Sequence, residues 1–268
     1  MPMTVGQWQQ EFTESIRELA FFDANCWYGR TNQPRRSVID SIDALDKVAT
    51  GIGYDRCNVS YLLSKYLKPH EGNAILMDDV DGRDRFTPSI VFTPWMVESE
   101  SQAEEYLESM LRLGARSVRL FPKTHHYLIN EWSYSYLPKL LEAYRVPLFV
   151  WTEEMDWNEV YALSRAYPRL PIVVEQCEVE AFFNLGYLVP LLESTANVYL
   201  ETNRVHEYLA LDVLVERLGG NRFIYGSNMP VDDPYPQLAV ITMGDFPNED
   251  KKRIAHENLE SLFSDVRI

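Results

Sequence analysis

Cysteine and histidine are both scarce in this chain of 268 residues, with three of the first and five of the second. The cysteines, Cys26, Cys57 and Cys177, are odd in number and fit no zinc-ribbon spacing, so reduced, buried thiols are expected rather than a disulfide framework or metal cluster. The histidines have no ligand spacing either. His125 and His126 are adjacent and would point to opposite faces of a strand, His70 falls in a loop, His206 follows a strand, and His256-Glu257 is followed by Glu260 where a second histidine would be needed. Basic charge is also short: 25 lysines and arginines against 40 acids leave a net charge of −15, which repels phosphate backbones and anionic headgroups. Nucleic acid and membrane surfaces are therefore excluded as expected partners. No apolar run approaches the roughly 18 residues needed to span a bilayer, and the first fifteen residues are polar, without a signal-peptide core, so a cytoplasmic protein is expected. Gly-x-Gly-x-x-Gly, P-loop and Gly-x-Ser-x-Gly motifs are missing, which leaves nucleotide cofactors and a nucleophile elbow without support.

What is present is a regular alternation. Short β-rich runs at 21–27, 57–61, 89–93, 117–121, 147–152, 172–176, 198–202 and 223–227 are separated by segments of helical period at 37–51, 74–79, 101–113, 132–144, 157–167, 180–193, 207–218 and 236–242. Gly114 and Gly219-Gly220 can supply positive φ after helices, and Pro147 and Pro171 sit where strands begin. The runs Leu148-Phe149-Val150 and Ile172-Val173-Val174 lack in/out alternation, as strands covered on both faces should. Eight β/α units with no composition break, repeat or linker predict an α/β fold. It is a single (β/α)8 barrel domain over 1–268, with its core at about 21–263, rather than a doubly wound sheet. An N-terminal helix at 5–19, with Trp8, Phe12, Ile16 and Leu19 at helical spacing, is expected to cover the barrel's bottom or one side. A closing helix at 248–263 offers Ile254, Leu259 and Leu262 to the barrel.

Seven local phrases, in order, then point to a family. They are Phe21-Phe-Asp-Ala-Asn-Cys-Trp-Tyr-Gly29, Gly114-Ala-Arg-Ser-Val-Arg-Leu-Phe-Pro122, Val146-Pro-Leu-Phe-Val-Trp-Thr152, Tyr167 through Gln176, Ala196-Asn-Val-Tyr-Leu-Glu-Thr202, Arg222-Phe-Ile-Tyr-Gly-Ser-Asn-Met-Pro230, and Ile254 through Phe263 with its Asn258. Together they resemble the first, fourth to eighth strands and terminal helix of amidohydrolase-related TIM barrels. That resemblance implies hydrolase ancestry, with decarboxylases and hydratases also known in such families. It further implies one or two divalent metals held by two histidines on strand one, one each on strands five and six, and an aspartate on strand eight. Here those positions read Asn25, Trp27, Trp151, Gln176 and Asn228. Amides are weak oxygen ligands and indole is none, so no metal is expected. Arg119, on strand four, carries a permanent charge that would partly replace the lost cation without restoring water activation.

Active sites of such barrels lie at the C-terminal ends of the strands, where residues two apart share a face. This alternation places Asp23, Asn25 and Trp27 together, Arg119 beside Phe121, and Trp151 beside Glu153, with Gln176, Asn228, Glu201 and Asn203 completing the ring. Asn25, Trp27, Trp151, Gln176 and Asn228 are the candidate ligand-binding residues for a small polar organic molecule, the indoles either lining that pocket or filling its volume. Arg119 and Glu153 are the candidate catalytic residues, with Glu154, Glu175, Glu178 and Glu201 as nearby carboxylates whose pKa burial would raise. Asp232 and Asp233 are read as turn formers beside Pro234. The resulting expectation is a ligand-binding relative without catalysis or a metal-free enzyme. The alternative is a metal-dependent hydrolase, decarboxylase or hydratase that holds zinc or another divalent ion through non-standard ligands. A homo-oligomer is suggested by the resemblance alone.

Overall fold

The computed structural model describes residues 4–30, 39–130, 132–175, 181–205 and 209–268, with the backbone alone for 181–185. Helix α1 (Val5–Glu18) leads into β1 (Phe22–Tyr28), α2 (Ile42–Ile52) and β2 (Arg56–Tyr61). Two helices, α3 (Leu62–Tyr66) and α4 (Pro69–Val80), precede β3 (Phe86–Val91), followed by α5 (Glu100–Arg112), β4 (Ser117–Leu120) and α6 (Tyr136–Tyr144). The chain continues through β5 (Leu148–Trp151), α7 (Trp157–Ala166), β6 (Ile172–Glu175), α8 (Ala181–Ser194), β7 (Val198–Glu201) and α9 (Ala210–Leu218). It finishes with β8 (Phe223–Ile224), α10 (Tyr235–Met243), and α11 (Asn248–Lys252) joined through a π-helical turn, Arg253–Glu257, to α12 (Asn258–Ser264).

Each strand pairs in parallel with the next in chain order, β1 through β8. The ring closes where Ala24 N–H donates to the Tyr225 carbonyl at 3.0 Å and Trp27 N–H to that of Met229 at 2.8 Å. This is the (β/α)8 barrel that the alternation of strand and helix predicts. Strand β8 is only two residues long because the Tyr225 N–H turns to the Ile254 carbonyl, at 2.8 Å, instead of continuing the ladder. Among the helices, α2 starts at Ile42 rather than 37, with the Ser41 hydroxyl accepting from the Ala44 N–H, and the first two positions of the expected span lie outside the described residues. Helix α4 begins five residues before the expected 74, with Pro69 in its first turn, where a missing N–H removes no intrahelical bond. The short α3 was not expected at all.

The strands' inward side chains form layers. At the bottom, Phe22, Ala24, Phe149, Val173 and Ile224 are sealed by Leu259, Leu262 and Phe263 of α12, each burial contributing about 1.5–3 kcal/mol. The terminal helix is thus the closing element, while α1 packs on the barrel's side against α10, with the Phe12 and Tyr235 rings 6.4 Å apart. Ile16 and Leu19 are buried, and Trp8 stays exposed. Outward side chains such as Leu120, Val150 and Val174 pack under the helices.

Candidate active site

Above the apolar floor the barrel interior turns polar. Arg119 on β4 is wholly buried, and each of its three nitrogens donates: Nε to Glu175 Oε2 at 3.2 Å, Nη2 to Glu175 Oε1 and to the Ala24 carbonyl at 2.7 Å each, and Nη1 to Ser60 Oγ at 2.9 Å. Its guanidinium carbon lies 4.9 Å from the Phe149 ring centroid and 5.2 Å from that of Trp27. Glu175, at the end of β6, accepts a third bond from Trp151 Nε1 at 3.0 Å. Burial pushes the Glu175 carboxyl upward, and Arg119 is the largest influence pulling it back. Alongside, Asn58 donates to the Ala24 carbonyl at 2.9 Å and accepts from the Ser117 hydroxyl at 3.1 Å. These groups satisfy one another, the condition under which a charge pair persists in a barrel core, while the buried Ser89 hydroxyl on β3 has no partner among the described residues.

Above that layer stand Trp27, Phe121 and Trp151. The two indoles meet edge to face with centroids 6.0 Å apart, and Phe121 lies 5.2 Å from Trp151. Trp27 is 1% exposed and Trp151 8%, so these rings fill the mouth between β1, β4 and β5 rather than line an open cleft there. Lys65, from α3, reaches over them. Its Nζ lies 3.0 Å from the Trp151 ring centroid and 4.8 Å from that of Phe121, an ammonium against the negative face of two aromatic rings. Among the described residues it donates no hydrogen bond, although its side chain is buried. Loss of hydration lowers its pKa to about 8, against the attraction of Glu154, Glu153 and Glu175. The Lys65 carbonyl takes a 2.7 Å bond from His125 Nε2, and a carbonyl can only accept, so His125 is the Nε2–H tautomer with Nδ1 left as a buried acceptor without a partner.

On the β7–β8–β1 side, amides dominate. Asn228 adopts a left-handed backbone, φ +55°, that asparagine tolerates, and donates to Asp232 Oδ2 at 2.8 Å. Asn203 Nδ2 and Arg204 Nε reach the same carboxylate oxygen, both at 3.3 Å, so Asp232 is the hub of the rim as well as a turn residue. Asn25 Oδ1 accepts from Trp27 Nε1 at 2.6 Å. Among the described residues, three amide atoms here stay buried and unpartnered: Asn25 Nδ2, Asn203 Oδ1 and Asn228 Oδ1.

Of the residues expected at the mouth, the structure brings together Asn25, Trp27, Arg119 and Trp151 and places Asn228 on the rim. Gln176 lies outside the described residues, as do Cys177, Glu178 and His206. Asp23 does not share the inward face. A register shift between Asp23 and Cys26 inserts an extra residue into β1, leaving Asp23 on the side of Phe21 and Cys26. There it takes a 2.9 Å bond from the Ser227 N–H and one from the Ser227 hydroxyl; burial pushes its carboxyl up, and these bonds oppose that. Glu153 departs from the expected alternation too, because β5 stops at Trp151. The N–H groups of Glu154 and Met155 fold back to the Trp151 carbonyl at 3.0 Å each, leaving Glu153 exposed on the turn while buried Glu154 accepts from the Thr124 N–H and hydroxyl. Lys65 was missed. The sequence around it, Leu62-Leu-Ser-Lys-Tyr66, is too short for a period to show which way a side chain points.

A family model for amidohydrolases matches residues 71–264, most of the chain. The chain belongs to the amidohydrolase family. Solved structures similar to this amidohydrolase-family chain include a 5-carboxyvanillate decarboxylase from Sphingomonas paucimobilis, 13% identical with a TM-score of 0.69 over 92% of this chain and 99% of that one. A dihydroxybenzoic acid decarboxylase from Polaromonas sp. JS666, with bound manganese and 2-nitroresorcinol, is also 13% identical, with a TM-score of 0.69 over 91% and 97%. A 5-carboxyvanillate decarboxylase from Novosphingobium aromaticivorans, complexed with manganese and 4-hydroxy-3-methoxy-5-nitrobenzoic acid, is 13% identical with a TM-score of 0.71 over 91% and 96%. At such identity the likeness is one of fold. No curated protein matches the chain.

Manganese in these relatives raises the question of a metal here, and the described residues do not fit one. No group of three or more histidine, cysteine, aspartate or glutamate side chains converges among them. Both indole N–H groups at the resemblance's ligand positions are donors already bonded to Asn25 and Glu175, and two protein cations, Arg119 and Lys65, lie against the same rings. A divalent ion would meet like charge and no anionic donor set. No helix among the described residues is long and apolar enough to cross a membrane.

Proposed function

We propose that this amidohydrolase-family chain is an enzyme that binds and transforms a small organic acid at the C-terminal mouth of its barrel. The observation that carries the reading is Lys65, a residue only 4% exposed whose ammonium has no hydrogen-bond acceptor among the described residues. Together with the unpartnered Asn25 Nδ2 it leaves donors in want of acceptor oxygens and negative charge, which a carboxylate supplies. A ligand held at the rim, above the indoles that fill the mouth, would have Lys65 on one side and the amides of Asn25 and Asn228 on the other. Aromatic faces suit an aryl or short planar acid, in keeping with the decarboxylases of similar fold. Arg119 acts by holding Glu175 and supporting Trp27 rather than by contacting the ligand, and Glu153 is left to the rim. The two described cysteines are buried free thiols, as suits a cytoplasmic protein.

The bound manganese of two fold relatives favours a second reading, a metal-dependent decarboxylase or hydrolase whose ligands include residues outside those described. One experiment separates the two. The purified chain is analysed for metal, before and after exposure to Mn²⁺ and Zn²⁺, and screened for CO₂ release and thermal stabilisation with benzoates, hydroxybenzoates and oxo acids. The proposal expects at least one acid to raise the melting temperature and be turned over, unaffected by chelator. Failure of every acid to bind would overturn it. Stoichiometric metal with chelator-sensitive turnover would establish the second reading in its place.

A further inference from the structure

We propose that Lys65 is an imine-forming lysine whose substrate is a small oxo acid. The inference rests on the reading of the mouth as an organic-acid site and adds to it the carbonyl group that the acid must carry.

A lysine buried for structural reasons is normally paired with a carboxylate, since an unpaired buried ammonium is strongly destabilising. Here every nearby carboxylate among the described residues is committed elsewhere: Glu175 to Arg119 and Trp151, Glu154 to Thr124, while Glu153 is exposed on its turn. What faces Nζ is aromatic carbon, at Trp151, Phe121 and Tyr66. Burial there strips the ammonium of its hydration and so favours the neutral, nucleophilic amine, against the attraction of the ring faces for the charge. The direction of the Lys65 shift agrees with it, and a value of about 8 against an ordinary 10.5 gives about 300-fold more free amine at neutral pH. Position is fixed as well, because the His125 bond to the Lys65 carbonyl ties α3 to the loop after β4.

The chemistry balances without an oxidant. The amine lone pair forms a bond to the carbonyl carbon, the C=O pair moves to oxygen, and proton transfers turn that oxygen into water, which leaves as C=N forms. Amine plus carbonyl thus yields imine plus water. With a carboxylate two carbons from the nitrogen, the protonated imine accepts the electron pair of the C–CO₂ bond and CO₂ departs. The enamine then takes a proton, and hydrolysis by one water returns the ketone and Lys65.

The test uses the full chain incubated with pyruvate or acetoacetate and sodium cyanoborohydride, which reduces an imine to a stable amine, followed by intact mass and peptide mapping. Of the seven lysines, only Lys65 is expected to carry the adduct, at one per chain. The K65R and K65M variants, checked for a cooperative melt, should lose it. Absence of any adduct, or adducts spread over exposed lysines such as Lys68, overturns the proposal. Mapping the unmodified sequence needs no variant to fold. If oxo acids raise the melting temperature yet leave no adduct, the imine fails while the organic-acid site stands; if no acid binds, the site reading itself falls.

Discussion

Arg119 and Glu175 meet inside the barrel in a two-point ion pair, Nη2 to Oε1 at 2.7 Å and Nε to Oε2 at 3.2 Å, with neither side chain exposed to solvent. Removing one partner strands the other's hydrogen-bonding groups in the core. E175L or R119M is therefore expected to destabilise the protein by about 3–5 kcal/mol, while the R119M/E175L double variant loses less than the sum. Urea denaturation of the three variants measures this. A single variant within about 1 kcal/mol of wild type would show that the pair is not coupled as its geometry implies.

Lys65 should make stability depend on alkaline pH. Its folded pKa of about 8 lies below the ordinary 10.5, so between those values the unfolded chain holds a proton that the native state has released. Stability therefore rises with pH across that window, and the destabilisation from a buried charge is fully present below it. Relative to K65M, the wild type is expected to be less stable by on the order of 1–3 kcal/mol at pH 7 and to recover most of that difference by pH 10. Glu154, Glu153 and Glu175 hold the value up and Arg119 pushes it down. Parallel stability curves for the two proteins would contradict the prediction.

Gly226 makes room for a carboxylate. A methyl group there would sit 2.0 Å from Glu201 Oε1, so G226A forces the buried Glu201 side chain out of its place on β7. A loss of about 1–3 kcal/mol is expected, as for other overpacked core positions. Thermal denaturation reads it, and an unchanged melting temperature would mean that Glu201 relaxes freely.

Asn258 ties the closing helix to the last strand, donating from Nδ2 to the Gly220 and Phe223 carbonyls at 2.8 Å each. N258A leaves both oxygens short of a partner and is expected to cost about 1–3 kcal/mol. The site lies at the opposite end of the barrel from the mouth, so binding of a small acid should be unaffected. Isothermal titration of N258A, with a denaturation curve, checks both halves of that statement.

Much of the mouth was legible from alternation along strands, and its failures are local. Asn25, Trp27, Arg119 and Trp151 lie where period-two spacing puts them, because β1 beyond its bulge, β4 and β5 are regular there. Asp23 escaped the rule because one inserted residue exchanges the two faces of a strand, and Glu153 because the strand ends two residues earlier. Lys65 had no rule to follow. A five-residue helix carries no readable period, and its direction is set by the packing of α3 against α4 and by the His125 bond.

By itself the sequence determined the barrel. Eight apolar runs separated by amphipathic segments admit few packings, and parallel strands joined through covering helices bury both faces of each strand. Residue identity also sets amides and indoles at Asn25, Trp27, Trp151 and Asn228, side chains that are poor electron donors to a cation. Only the tertiary structure decided which charges share the interior. Arg119 and Glu175 are 56 positions apart, and Lys65 reaches Trp151 across the mouth from another element, pairings that depend on barrel closure rather than on any local pattern.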